Sequence, residues 1–162
     1  MCSSDLSIFK IIEISHYSKN NELLWTQHNI SNILHNSGKE FILKTLFTGE
    51  ESIPNDYYVG LDSRSTLSTG QTMSSLSEPS GNGYTRQTVS STGDFNYNDD
   101  DILVLSGLLT FVCTSGSYSV KNVFLTNEPD NTGFLISSLV LSEARTLTAG
   151  ETITIKAGFS LG

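Results

Sequence analysis

The densest set of potential ligands in this chain is one acidic run, Asp94-Phe95-Asn96-Tyr97-Asn98-Asp99-Asp100-Asp101. Asp94, Asn96 and Asn98 fall at alternate positions, as the oxygen ligands of a calcium loop do. The helix–loop–helix calcium motif is excluded: its sixth position holds Asp99 where glycine is needed, and its twelfth holds Leu105 where a bidentate glutamate is needed. A looser calcium site and a solvated acidic turn remain, and the turn is the favoured reading. Glu128-Pro129-Asp130-Asn131-Thr132-Gly133 also offers oxygens, but its composition is that of a turn.

The three histidines, His16, His28 and His35, lack the spacing that sets two imidazoles on one helical face, so no zinc site is expected. Serines are abundant, yet no G-x-S-x-G elbow is present to expose one as a nucleophile. Gly81-Asn82-Gly83 lacks the lysine and the following helix of a phosphate-binding loop. No catalytic residue, metal or cofactor is therefore expected, and the chain does not read as an enzyme. The remaining candidates are contact residues. Trp25, Tyr57, Tyr58, Tyr84, Phe95 and Tyr97 are aromatic groups of the kind that line contact or carbohydrate-binding surfaces. Tyr84 and Arg86 follow a glycine-rich turn, and Tyr and Arg are the residue types enriched at interface hot spots.

The elements that position these residues read mainly as strands. Charged residues make up 16% of the 162, below the roughly 25% of an average domain, and Ser, Thr and Asn fill the difference. The surface is thus polar rather than ionic, which favours β structure with many turns. One domain is expected over 1–162. The net charge of −8, with basic residues scattered singly, argues against nucleic acid and against an anionic membrane. No apolar run approaches the length of a membrane span, and the opening M-C-S-S-D-L-S lacks a secretory pattern. Cys113 sits in an apolar run and reads as a small core residue. With only Cys2 as a second cysteine no disulfide framework forms, so a reducing compartment is expected.

Residues 6–17 and 23–30 predict a hairpin within an N-terminal unit 1–30, turning at Asn20-Asn21 with Lys19 facing Glu22. A single helix is predicted at 37–48: Ser37 and Glu40 form an S-x-x-E capping box, and Gly49 supplies the stop. So apolar a helix must lie against a sheet or a neighbouring subunit. A strand follows at 56–61, then a long Ser/Thr/Gly loop at 63–86 and a short strand at 87–92. The segment 102–160 supplies four strands, near 102–113, 118–126, 134–142 and 151–159. The fold class is mainly β, an antiparallel β-sandwich or jelly-roll-like barrel with one short helix.

The order of these features resembles a family of small bacteriophage virion proteins, of the tail-fibre-like or minor structural kind. The resemblance rests on Asn36-Ser37-Gly38 before the helix, Tyr58-Val59-Gly60-Leu61, and the Glu78 to Arg86 string of E-P-x-G-x-G-Y-x-R type. It continues with Leu109-Thr110-Phe111, the turn Thr114-Ser115-Gly116-Ser117-Tyr118, and Ala149-Gly150-Glu151-Thr152 followed by Ala157-Gly158. Val112-Cys113 and Tyr118 depart from the family's usual small apolar residues and tryptophan. The resemblance spans about 30 to 160. It implies a virion location after assembly in the host bacterial cytoplasm, with no catalytic residues.

The expected role is a capsid decoration (cement) protein or a head–tail accessory subunit. Its partners would be major capsid or tail subunits and further copies of itself, as a trimer or ring. The alternative is a receptor- or carbohydrate-binding tail-tip module. The contact residues expected are Glu78, Tyr84, Arg86, Phe95 and Tyr97.

Overall fold

The computed structural model describes residues 8–30, 32–93, 95–98 and 102–161. It holds two antiparallel sheets packed face to face as a β-sandwich with one short helix. The first sheet runs β2 (Leu23–Ile30), β1 (Phe9–Tyr17), β11 (Thr152–Phe159), β7 (Leu103–Leu105) and β6 (Phe95–Tyr97), with β8 (Leu109–Val112) also pairing with β11. The second runs β3 (Asn32–Leu34), β10 (Leu135–Thr148), β9 (Ser117–Thr126), β4 (Asp56–Asp62) and β5 (Gln87–Ser90). Between them lies one core, in which Phe9, Ile11, Ile14 and Ile155 of the first sheet meet Val59, Val123, Leu139 and Leu147 of the second.

A plain alternation of inward and outward residues would not build this core. In β1 the buried apolar positions pass from odd (Phe9, Ile11) to even (Ile14), and the register against β11 shifts between Ile11 and Glu13. An extra residue on one strand resets the parity, which is what a bulge does. β9 changes parity as well: its buried residues pass from Tyr118 and Val120 to Val123 and Leu125, across a register shift in which β10 advances from Val140 to Arg145 while β9 passes only from Asn122 to Val120. The shift frees carbonyls on β10, and Lys121 Nζ donates to two of them, Leu141 O at 2.6 Å and Ser142 O at 3.2 Å.

Several expectations are corrected here. The predicted 102–113 strand is two strands that meet β11 at separate places, β7 at Gly158–Phe159 and β8 at Thr152–Ile155. The predicted 134–142 strand continues to Thr148, because the bulge carries the chain onward without a turn. In the hairpin, Ser18 faces Glu22 through its backbone at 2.8 Å, so Lys19 lies inside a five-residue loop and does not oppose Glu22. Asn21 alone takes the left-handed conformation there, with φ 62°.

The helix α1 (Asn36–Leu43) starts one residue early. His35 is its N-cap, and the Ser37 hydroxyl donates to Leu135 O at 2.7 Å, so the Ser37–Glu40 capping box does not form. Tertiary docking decides this: Gly38 rests directly on the Ile136 backbone, where a Cβ would collide. The helix then widens to a π-helical turn over Lys44–Thr48, with Thr45 and Thr48 hydroxyls bonded back to Phe41 O and Lys44 O. Gly49 ends it at φ 69°, as predicted.

Candidate functional site

The Glu78–Arg86 string closes an internal clamp beside β4 and β9 of the second sheet. Gly81, Asn82 and Gly83 all have positive φ. This tight turn places the Asn82 amide against Ser117 O at 3.0 Å, and Asn82 O accepts from Thr114 N at 2.8 Å. The turn thereby pins the Thr114–Tyr118 turn, and beyond it Tyr84 and Arg86 both reach the Glu78 carboxylate.

The Tyr84 ring stacks on Phe111 and meets Tyr118 edge-on. Its hydroxyl accepts from Leu61 N at 2.9 Å and donates to Glu78 Oε1 at 2.6 Å. Burial, and then the adjacent Glu78 carboxylate, pushes the Tyr84 phenol far above its ordinary value. Arg86 engages both Glu78 oxygens, Nε to Oε1 at 2.8 Å and Nη2 to Oε2 at 2.7 Å. Its other donors reach Glu128 O (3.1 Å), Asp130 O (2.6 Å) and Asn131 Oδ1 (2.6 Å). All five guanidinium N–H groups thus have acceptors within the chain. Burial disfavours the Arg86 charge, and the Glu78 carboxylate more than offsets this, so its pKa is raised.

Three of the five expected contact residues, Glu78, Tyr84 and Arg86, therefore converge, with their polar groups turned inward. The Arg86 side chain is 8% exposed. The oxygens of the Glu128–Gly133 turn do bind a cation, and it is this guanidinium. The guanidinium also lies 5.4 Å from the Phe124 ring centroid, and that ring covers Gly60, leaving no room there for a Cβ. The loop 63–86 is likewise a packed cover. Leu67 and Met73 are buried, and Asp62, fully buried, accepts from Arg64 N, Ser77 N and the Asn122 amide.

Beneath that cover His35 Nε2 lies 2.7 Å from Ser138 Oγ, a pairing the sequence does not announce. A nucleophilic serine needs a path for substrate, and both residues are fully buried beside the loop backbone. The pair reads as a structural hydrogen bond. Burial lowers the His35 pKa, against the favourable backbone of Ser68 and Thr69.

His16 forms a second buried cluster missed in the sequence. Arg145 Nε donates to its Nδ1 at 3.3 Å, which puts the imidazole proton on Nε2, facing Glu151 Oε2 at 3.3 Å. Arg145 in turn lies over Trp25 and pairs with Glu143 at 2.8 Å. Burial lowers the His16 pKa despite the Glu151 charge. His28 is on the outside, 3.6 Å from Glu13, so the three histidines stand apart. Among the described residues no three His, Cys, Asp or Glu side chains gather to hold a metal. Asp94 and Asp99 to Asp101, the core of the calcium-loop reading, lie outside the described residues, as does Cys2.

The other two contact candidates sit elsewhere, on β6 at the edge of the first sheet. Phe95 packs edge-on against Phe159, and Tyr97 is 70% exposed. Phe95 also helps wall a cavity of about 320 Å³ between the sheets, beside α1, with Phe41, Ile42, Ile53, Val89 and Phe159. Among the described residues its walls carry no charged side chain. Ile53 at its mouth is 70% exposed, and Leu43, Leu46 and Phe47 on the adjoining helix are 56%, 65% and 77% exposed. The sequence hinted at this surface through the apolar helix, but the cavity exists only where α1 and strands of both sheets come together.

No protein-family model matches this chain, and no curated protein does. The surface itself must carry the functional reading.

Proposed function

We propose that this chain is a non-enzymatic structural subunit of a bacteriophage virion, a capsid decoration protein or a head–tail accessory, which acts by burying surface against neighbouring subunits. The observation that carries the reading is the apolar groove, with no charged side chain among the described residues of its walls, beside an exposed apolar helix. Contiguous apolar surface of this kind, left open on a polar β-sandwich, is a surface that a partner covers. A rigid scaffold suits this role. The Arg86 clamp and the loop cover hold one face closed, so the groove is presented without a cost in ordering.

The resemblance to small virion proteins supports the same reading in a second way. Its separate strings meet in space: Leu61 of one string, Glu78, Tyr84 and Arg86 of another, and the Thr114–Tyr118 turn of a third are linked through Tyr84 and Asn82. Such strings act together as one packing unit.

Quantitative mass spectrometry of gradient-purified particles tests the proposal. The expected outcome is a fixed copy number of this chain per particle, with matching sandwich-shaped density in electron cryomicroscopy. A protein present in infected cells yet missing from purified particles would sink it. Saturable binding on a glycan array would favour the receptor-binding alternative.

A further inference from the structure

The groove and the exposed helix face adjoin each other on one molecule, one hollow and the other projecting. Leu43, Leu46 and Phe47 are each more than half exposed where α1 runs into its π-helical turn, and Ile42, one residue before Leu43, already walls the groove. Resting on the structural-subunit reading above, we propose that a second copy of this chain covers this surface, with Phe47 of each copy entering the groove of the other.

Two observations favour a second copy over an unrelated partner. The first is charge. The whole chain carries −8, which opposes self-association, but the stretch from Lys39 to Glu51 holds two lysines against three glutamates. Lys44 is moreover neutralised in place, 2.9 Å from Glu40 and 3.7 Å from Glu50. This is a near-balanced, mixed-sign rim of the sort that can face a copy of itself. The second is area. Four large apolar side chains left more than half exposed amount to on the order of 400 Å². A symmetric pair counts that area twice, and with its polar rim reaches roughly the 1,000 Å² at which a specific interface begins.

The test is the mass of the full chain by sedimentation velocity from about 1 to 100 μM, for the wild type, Phe47→Asp and Ile53→Asp. Phe47 and Ile53 are largely exposed, so both variants keep the fold, which circular dichroism and an unchanged melting temperature verify. The expected result is a dimeric wild type and variants whose dissociation constant rises at least ~30-fold, the size of a hot-spot loss. A wild type that stays monomeric to 100 μM overturns the proposal. So does an oligomer that both variants leave intact, or a monomer whose groove binds bis-ANS tightly, which would assign it to a small apolar ligand. Failure here is separable from failure of the broader reading: a monomer that still occupies purified particles removes only the self-association. A dimer missing from particles keeps the interface and removes the virion role.

Discussion

Arg86 and Glu78 meet as a two-pronged pair, Nε on Oε1 at 2.8 Å and Nη2 on Oε2 at 2.7 Å, with the Tyr84 hydroxyl sharing Oε1 at 2.6 Å. The pair ties the start of the Gly81–Gly83 turn to its exit and fastens both to the Glu128–Asn131 turn. Arg86→Ala would leave the largely buried Glu78 carboxylate with the Tyr84 hydroxyl in place of three donors, and would take the guanidinium from three turn oxygens. A loss of about 3 kcal/mol is expected, measured by urea midpoint. Arg86→Lys should recover less than half, since an ammonium cannot fork onto both oxygens. The double variant with Glu78→Ala should be much less damaging than the two single losses added. An Arg86→Ala protein within 1 kcal/mol of wild type would show that the clamp holds nothing.

Gly60 and Phe124 face each other across β4 and β9, and the ring lies over the bare Cα. Gly60→Ala would push the ring away and take the face from beneath Arg86. Overpacking of this kind costs about 1–3 kcal/mol. Combining Gly60→Ala with Phe124→Leu should cost less than the sum of the two, because both remove the same contact. Strict additivity in thermal or urea denaturation would rule the coupling out.

Acid should loosen the molecule before the carboxylates titrate. His16 and His35 both have folded-state pKa values lowered by burial from the ordinary 6.5. Below 6.5 the unfolded chain therefore binds protons that the folded chain refuses, and stability falls with pH. The contribution is complete above about pH 6.5 and is lost as pH drops through the folded values, no more steeply than about 1.4 kcal/mol per pH unit for each histidine. Glu151, whose pKa is lowered chiefly by the Thr148 backbone N–H, acts in the same direction at lower pH. Urea midpoints from pH 8 to 5.5 check this for the wild type, His16→Gln and His35→Gln. Each variant should flatten the curve, and a flat wild-type curve would defeat the argument.

Local sequence set much of the architecture, because strands, turns and helix stops answer to short-range sterics. The run from Asp56 to Asp62, the Gly49 stop, the left-handed Gly81 and Gly83, and the 118–126 and 151–159 strands follow from β-branched runs and from backbone freedom at glycine. Ser37 shows the limit of such reasoning. Its capping box is correct by spacing, yet the hydroxyl goes to Leu135, nearly a hundred residues away.

The same limit governs the site. Glu78, Tyr84 and Arg86 stand out in the sequence, but that their polar atoms face inward depends on Leu61, Phe111, Phe124 and the Glu128–Asn131 turn. The bulges that reset β1 and β9, the His16 cluster and the groove beside Phe47 were likewise settled only by tertiary structure. Each depends on groups brought together from distant segments, and hydrogen bonding and burial respond to distance in space, of which one-dimensional spacing carries no record.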